Sequence, residues 1–370
     1  MNYKEGDSVH INYNNCLTNL SNSILKYYGI KPLHSTLKNL DKVLEENNSK
    51  NVILLLYDGL GARVIDKVLG KNNFFNDNKL CEIDSVFPAT TAAATTTVMS
   101  GLNPVEHGWI GWDVYLKHLD KTVTLFTNCE KESELPIEGY NSFKELAYES
   151  IMDKIKKQGY ESYYVSPYGD IKYNTLKELN DVLLNICNND KKKFIYAYYD
   201  EPDYSLHEFG KNDERVINLI KSIEQSTIDL CNKVKDATII VIADHGHTLV
   251  DPINLYEYKE LYDCLIRTTS IDKRCANFFI KSDKKEYFKK EFNKLFSNYF
   301  ILHERQEVIN KNFFGFGGKH KYFDDAIGDF LAVAKSNKYL NDKKDEFIFK
   351  SHHAGATEEE IKINVSVIKR

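Results

Sequence analysis

Val52-Ile53-Leu54-Leu55-Leu56-Tyr57-Asp58-Gly59 is an unbroken apolar run that stops at an aspartate and a glycine. Two later stretches share its design. Phe194-Ile-Tyr-Ala-Tyr-Tyr199 leads into Asp200-Glu-Pro-Asp203, and Thr238-Ile-Ile-Val-Ile-Ala243 ends on Asp244-His245-Gly246. Near-continuous aliphatic, aromatic and β-branched runs of this length read as strands covered on both faces. A fourth candidate, Glu161 to Val165, ends at Ser166-Pro167. Helix-like stretches at Ser142 to Gln158 and Glu214 to Val234 lie between them, and this alternation predicts an α/β fold with a mostly parallel central sheet flanked by helices. Ligands of open α/β sheets bind beyond the carboxyl ends of the strands. Three strands that each carry an aspartate to that edge therefore mark the candidate site.

The chain of 370 residues is long enough for one large α/β core with an insertion. Residues 1–250 and 346–370 read as the core, with a last strand near Ile361 to Ile368. Residues 251–345, rich in Lys, Tyr and Phe and holding Phe314-Gly-Phe-Gly-Gly318, read as an inserted cap. A net charge of −5 does not favour a nucleic-acid polymer or an anionic membrane as partner. The seven cysteines are scattered without a CxxC pair, which suggests neither a zinc ribbon nor a disulfide framework. Met1 to Ile11 has no apolar signal-peptide core, and the aliphatic runs are too short to span a bilayer. A cytoplasmic setting is the expectation.

The strand-end residues are metal-ligand types. Asp58 follows one strand, Asp203 and His207 follow another at a spacing of one helical turn, and Asp244 and His245 follow a third. Ser351-His352-His353-Ala-Gly355 adds adjacent histidines near the C-terminus, of which a strand or turn presents only one to the same side. Mixed carboxylate and imidazole ligands suit zinc, and also manganese or ferrous iron. Three aspartates and three histidines supply three ligands to each of two divalent ions and leave open positions for substrate. A nucleophile candidate lies in Phe87-Pro-Ala-Thr-Thr-Ala-Ala-Ala94, where Thr90 or Thr91 begins a helix. A hydroxyl there meets the positive end of the helix dipole, a setting that also favours a phosphoryl group.

In order along the chain come Tyr57-Asp-Gly-Leu-Gly61, Phe87-Pro-Ala-Thr-Thr91 with Ser100-Gly-Leu102, and Glu106-His-Gly108. Glu201-Pro-Asp-Tyr-Ser-Leu-His207, Ala243-Asp-His-Gly246 and His353-Ala-Gly355 follow. Together they resemble the type I phosphodiesterase/nucleotide pyrophosphatase branch of the alkaline phosphatase superfamily. The resemblance implies an alkaline phosphatase-like fold. It implies one zinc ion on Asp203, His207 and His353, a second on Asp58, Asp244 and His245, and Thr91 as the nucleophile that forms a phospho-threonine intermediate. Manganese is the alternative metal. The implied activity is hydrolysis of phosphate diester or nucleotide pyrophosphate bonds of a small-molecule phosphate ester. A phosphomonoesterase or phosphomutase of the same superfamily is the alternative. The family pattern places asparagine three residues past the nucleophile, where Ala94 stands here. Trp109, Trp112, Tyr204 and Lys319 are candidate pocket residues. No Cys-x-Pro-x-Arg sulfatase signal occurs, and a complete ligand set with Thr91 argues against a merely binding protein.

Overall fold

The computed structural model describes residues 11–344 and 347–370; the reading of Met1 to Ile11 falls, but for Ile11, outside them. The central sheet consists of β1 (Asn51–Tyr57), β2 (Lys79–Asp84), β3 (Glu161–Val165), β4 (Lys193–Tyr199), β5 (Ala237–Ile242) and β6 (Lys362–Lys369). Its spatial order is β2-β6-β5-β1-β4-β3. β5, β1, β4 and β3 run parallel, and β6 lies antiparallel between β2 and β5. The expected α/β class is the observed one. Every residue of β1 and β5 is buried, as continuous aliphatic runs require when helices cover both faces of a sheet. Truncating one of the β1 leucines to alanine therefore costs about 2–5 kcal/mol.

Three helices frame the edge that matters: α1 (Thr91–Ser100), α2 (Asp203–Phe209) and α3 (Glu214–Lys233). α3 matches its expected span and buries Val216, Ile220, Ile223, Leu230 and Cys231 along one stripe. The single helix read over Ser142 to Gln158 is two, Ser142–Glu145 and Ile151–Lys157. Ser150 caps the second by accepting the Asp153 N–H, and the Leu146 carbonyl is taken by the Trp109 indole N–H at 3.1 Å. Both contacts supply the backbone with partners that replace helical ones.

A second, antiparallel sheet of seven strands stands beside the first. It runs in the order Phe300–Glu304, Phe330–Ala334, Cys275–Phe278, Ser270–Asp272, Asp113–Leu116, Lys121–Thr124, Cys129–Glu130. The stretch read as an inserted cap thus shares its sheet with three strands from residues 113–130. Phe288, Phe292 and Phe296, one helical turn apart, pack their helix onto Phe278, Phe300 and Phe330 of this sheet. Among the described residues no helix is long and apolar enough to cross a membrane.

Candidate active site

Parallel register brings the first two carboxylates together. Leu56 pairs with Ile242, so Asp58 and Asp244 leave the sheet side by side two residues later. Their loops touch backbone to backbone: a Cβ on Gly61 would lie 2.4 Å from the Gly246 Cα, so any side chain there would force the loops apart. The Asp58 carbonyl accepts the Asp203 N–H at 3.1 Å and joins the third aspartate to the pair. Asp244 Oδ1 accepts the backbone N–H groups of Gly59 and His245 at 3.1 and 2.9 Å. Its Oδ2, buried, has no hydrogen-bond donor among the described residues.

Five histidines surround these carboxylates, and the partner of each Nδ1 sorts them. His207, His245 and His353 direct Nδ1 at the backbone carbonyls of Ser351 (2.9 Å), Gly246 (3.3 Å) and Ala89 (3.1 Å). A carbonyl only accepts, so the proton sits on Nδ1 and the Nε2 lone pair faces inward, the orientation of a metal-binding imidazole. His245 Nε2 is 3.4 Å from both Asp58 Oδ1 and Asp244 Oδ2. His207 Nε2 and His353 Nε2 are 3.5 and 3.7 Å from the two oxygens of Asp203. His352 differs: its Nδ1 meets both the backbone N–H of His353 at 2.8 Å and the carbonyl of His353 at 3.1 Å, and its Nε2 lies 3.8 Å from Asp272 Oδ1. His247 Nε2 lies 2.6 Å from Asp203 Oδ1, with Nδ1 3.0 Å from the Ser351 hydroxyl. Two ligands of one tetrahedral ion sit about 3.3 Å apart at bond lengths near 2.0 Å, so the shorter contact is a hydrogen bond that orients Asp203.

All six residues expected as ligands therefore converge. Asp58, Asp244 and His245 form one group with donor atoms within 4.8 Å of one another; Asp203 and His353 fall in a second with His245 and His247, and His207 and His353 in a third with His352. Burial, together with the Asp244 and Asp203 charges, pushes the Asp58 carboxyl well above the carboxylate range. Asp244 is raised chiefly by burial. Asp203 suffers the same burial, but the facing imidazoles of His207 and His247 outweigh it and lower its pKa. Burial first, and then the neighbouring imidazoles of His245, His352, His207 and His247, drive His353 far below the usual histidine range. Carboxylates this crowded and dry resist full ionisation unless a cation joins them. The orphaned Asp244 Oδ2, the inward Nε2 atoms and the mixed O/N donor set all fit a divalent metal.

Thr91 is the first residue of α1 and Thr90 its extended N-cap. The Thr91 hydroxyl is 3.2 Å from His245 Nε2 and 3.5 Å from Asp58 Oδ1. The Thr90 hydroxyl turns away and donates to Asp272 Oδ2 at 3.2 Å. Ala94 is fully buried in the core beneath the sheet, so its side-chain position faces packing rather than a phosphoryl group.

A cavity of about 580 Å³ opens over Thr91, Asp203, His207, His352 and His353. Trp112 and Tyr204 line it, as expected. Trp109 does not: it is buried against Phe126 and Phe143 and is a core residue. Lys319 does not either; it pairs with Asp324 at 2.8 Å and borders a small separate hollow beside Phe316. Lys131 and Lys273, which adjoin strands of the second sheet, and Lys343, which follows a strand of a separate two-stranded sheet, occupy the cavity wall instead. Tyr198, which donates a hydrogen bond to Asp58 Oδ2, went unread, although a tyrosine inside a buried strand needs a polar partner. Asp272 also went unread. It sits on a three-residue strand, and burial first, then Asp113, pushes its carboxyl up to about 7.

The sequence pattern of the family described as type I phosphodiesterase/nucleotide pyrophosphatase matches residues 52–355. Ectonucleotide pyrophosphatase/phosphodiesterase family member 3 of Mus musculus is 26% identical over 219 residues, covering 53% of this chain and 24% of the relative. Its Rattus norvegicus counterpart is 24% identical over 215 residues, with the same coverage. The chain thus spans 24% of the length of these curated relatives. Among solved structures, murine ectonucleotide pyrophosphatase/phosphodiesterase 5 superposes with a TM-score of 0.63 at 18% identity, covering 85% of this chain and 87% of the other. An inactive threonine-to-alanine variant of that murine protein, in complex with AMP, superposes with a TM-score of 0.63 at 16% identity and the same coverage. At these identities the structural likeness shows the fold.

Proposed function

This chain belongs to the type I phosphodiesterase/nucleotide pyrophosphatase family, and from that premise we propose that it hydrolyses phosphate diester or nucleotide pyrophosphate bonds through a phospho-threonine intermediate on Thr91. The observation that carries the reading is the Thr91 hydroxyl, held at a helix start 3.2 Å from His245 Nε2 and 3.5 Å from Asp58 Oδ1. Asp58, Asp244 and His245 would hold one divalent ion; Asp203, His207 and His353 would hold the other. Zinc is the proposed metal, with manganese the alternative. When bound, the ions supply positive charge that lowers the pKa of a nearby hydroxyl and offsets the charge of the phosphoryl oxygens.

The protein's own part is to fix the partners. Deprotonated Thr91 Oγ1 forms the new bond to phosphorus as the bond to the leaving alcohol or phosphate breaks. Water then cleaves the threonine ester and restores the hydroxyl. Trp112, Tyr204 and Phe349 offer an aromatic wall to the substrate's second substituent. A nucleotide-sized substituent is supported by the AMP complex of the murine relative.

A phosphomonoesterase is the second reading, favoured by the three lysines in the cavity wall. A monoester dianion needs an additional cation, and Lys131 and Lys343 pair with Asp342 and Glu134, each at 3.2 Å. The test is kcat/KM of the zinc-loaded protein for bis(p-nitrophenyl) phosphate against p-nitrophenyl phosphate, corrected for intrinsic reactivity. A corrected ratio above one is expected; a ratio well below one moves the protein to the monoesterase reading.

A further inference from the structure

Behind the cavity, a fully enclosed ion pair joins the two sheets. Arg274 and Glu360 have side chains 0% exposed. Arg274 lies just before the second-sheet strand Cys275–Phe278, and Glu360 sits on the short helix Glu358–Ile361 that leads into β6. Arg274 Nε and Nη2 donate to Glu360 Oε1 and Oε2 at 2.6 and 2.9 Å. Its Nη1 donates to the Ser336 and Lys338 carbonyls at 2.9 and 2.8 Å. Part of the Glu360 bonding is an ordinary helix cap, since Oε2 also accepts the Thr357 N–H and hydroxyl at 3.1 and 2.6 Å. Burial raises the Glu360 pKa, but the Arg274 charge and the hydrogen bonds outweigh it and lower it.

A cap does not explain the contact with Gly355. Glu360 Oε1 accepts the Gly355 N–H at 2.7 Å, and a Cβ on Gly355 would lie 2.7 Å from Glu360 Oε2. Between Gly355 and His353 stands Ala354, fully buried with φ at +78°, a left-handed conformation that is costly for a residue with a Cβ. Such a turn persists only where its surroundings hold it. Here the Ala89 carbonyl accepts the Ala354 N–H at 3.0 Å on one side, and the Glu360 carboxylate holds Gly355 on the other. The His245 loop meets Glu360 differently, through the backbone: the Gly246 N–H donates to the Glu360 carbonyl at 2.7 Å. We infer that Glu360, clamped by Arg274, is a positioning residue that holds the strained Ala354 turn and thereby sets His353 against Asp203 and His207. The inference rests on the two-metal reading of the site and deepens it, because the Glu360 side chain serves one ion and not the other.

The test is zinc affinity by chelator competition, with urea midpoints on the same samples. Two backgrounds each keep one ion. Asp244→Ala retains the set of Asp203, His207 and His353, and Asp203→Ala retains the set of Asp58, Asp244 and His245. Glu360→Gln should weaken zinc about tenfold or more in the first background and about twofold or less in the second. Arg274→Lys keeps the charge but loses the fork that grips the carboxylate. It should show the same pattern at smaller amplitude, and it carries the test if Glu360→Gln does not fold. A pair that only stabilises the fold would lower the urea midpoint and leave the zinc affinity of folded protein unchanged. That result overturns the inference, as does equal weakening in both backgrounds or weakening confined to the second. A wild type that binds no zinc overturns the metal reading and the inference with it; two zinc ions in the wild type with both affinities unmoved by Glu360→Gln and Arg274→Lys overturn the positioning role alone.

Discussion

The two sides of the cavity are built in opposite ways. On the central-sheet side, Asp58, Asp203 and Asp244 lie within four residues of a strand end, Thr91 opens a helix, and the inward histidines are held by backbone carbonyls. On the other side, Trp112, Asp113, Glu130, Lys131, Asp272 and Lys273 come from or adjoin short antiparallel strands far apart in the chain. Their side chains are held by scattered partners: Lys131 pairs with Asp113 and Asp342, Glu130 with Lys121, and Lys273 with Asn341. The first side is rigid because the sheet that carries it is buried; it suits chemistry, which demands fixed geometry. The second side carries the charged and aromatic side chains that line the cavity, and suits recognition.

If that division holds, the largest effect belongs to the nucleophile. Thr91→Ala should lower kcat for bis(p-nitrophenyl) phosphate at least about a thousandfold, with metal content and circular dichroism unchanged. Thr90→Ala, which removes only the tie to Asp272, should cost about tenfold or less. A reversed order would move the nucleophile by one residue and break the assignment of sides.

Next comes the metal set. Elemental analysis should find about two equivalents of zinc per chain, falling to about one in either Asp203→Ala or Asp244→Ala. His353→Ala should also lose metal, whereas His352→Ala should not, because His353 Nε2 lies 3.7 Å from the Asp203 carboxylate and His352 Nε2 turns to Asp272 instead. Unchanged stoichiometry in both aspartate variants would refute the ligand groups.

The two tryptophans sharpen the comparison through stability. Trp109→Ala should lower unfolding free energy by about 3–5 kcal/mol, read from urea denaturation midpoints, because the ring is 1% exposed among Phe126 and Phe143. Trp112, 41% exposed at the cavity, should cost about 1 kcal/mol or less when truncated, and should instead raise KM. The smallest expected effect is that of Lys319→Ala. Its pair with Asp324 is solvent-exposed, so stability should change by about 0.5 kcal/mol or less and KM should not move; Lys343→Ala, in the cavity wall, should raise KM measurably.

The α/β class, the strands that carry the aspartates and the convergence of Asp58, Asp203, His207, Asp244, His245, His353 and Thr91 were legible in the sequence. Each rests on a local pattern: an apolar run sets a buried parallel strand, and register then delivers whatever follows it to one edge. Local pattern also explains the errors made within it. Ser142 to Gln158 has helical periodicity throughout, yet a side-chain cap at Ser150 and a tryptophan from elsewhere in the chain divide it.

Tertiary structure alone decided which residues face the substrate. The pairing of Ile271 with Asp113 joins strands more than 150 residues apart and sets Asp272 beside the cavity; nothing in a three-residue strand announces that neighbour. The same pairing puts Lys131 and Lys273 where Lys319 was expected, and seats Trp109 inside while Trp112 stays at the wall. The way each imidazole turns was likewise set by distant backbone or by its neighbour: His353 Nδ1 meets the Ala89 carbonyl, and His352 Nδ1 meets the backbone of His353. A sequence carries the periodicity that makes a strand and the residue at its end, because both depend on neighbours along the chain. It does not display the partner across a long-range antiparallel pairing, because that depends on how two whole sheets bury their faces against each other.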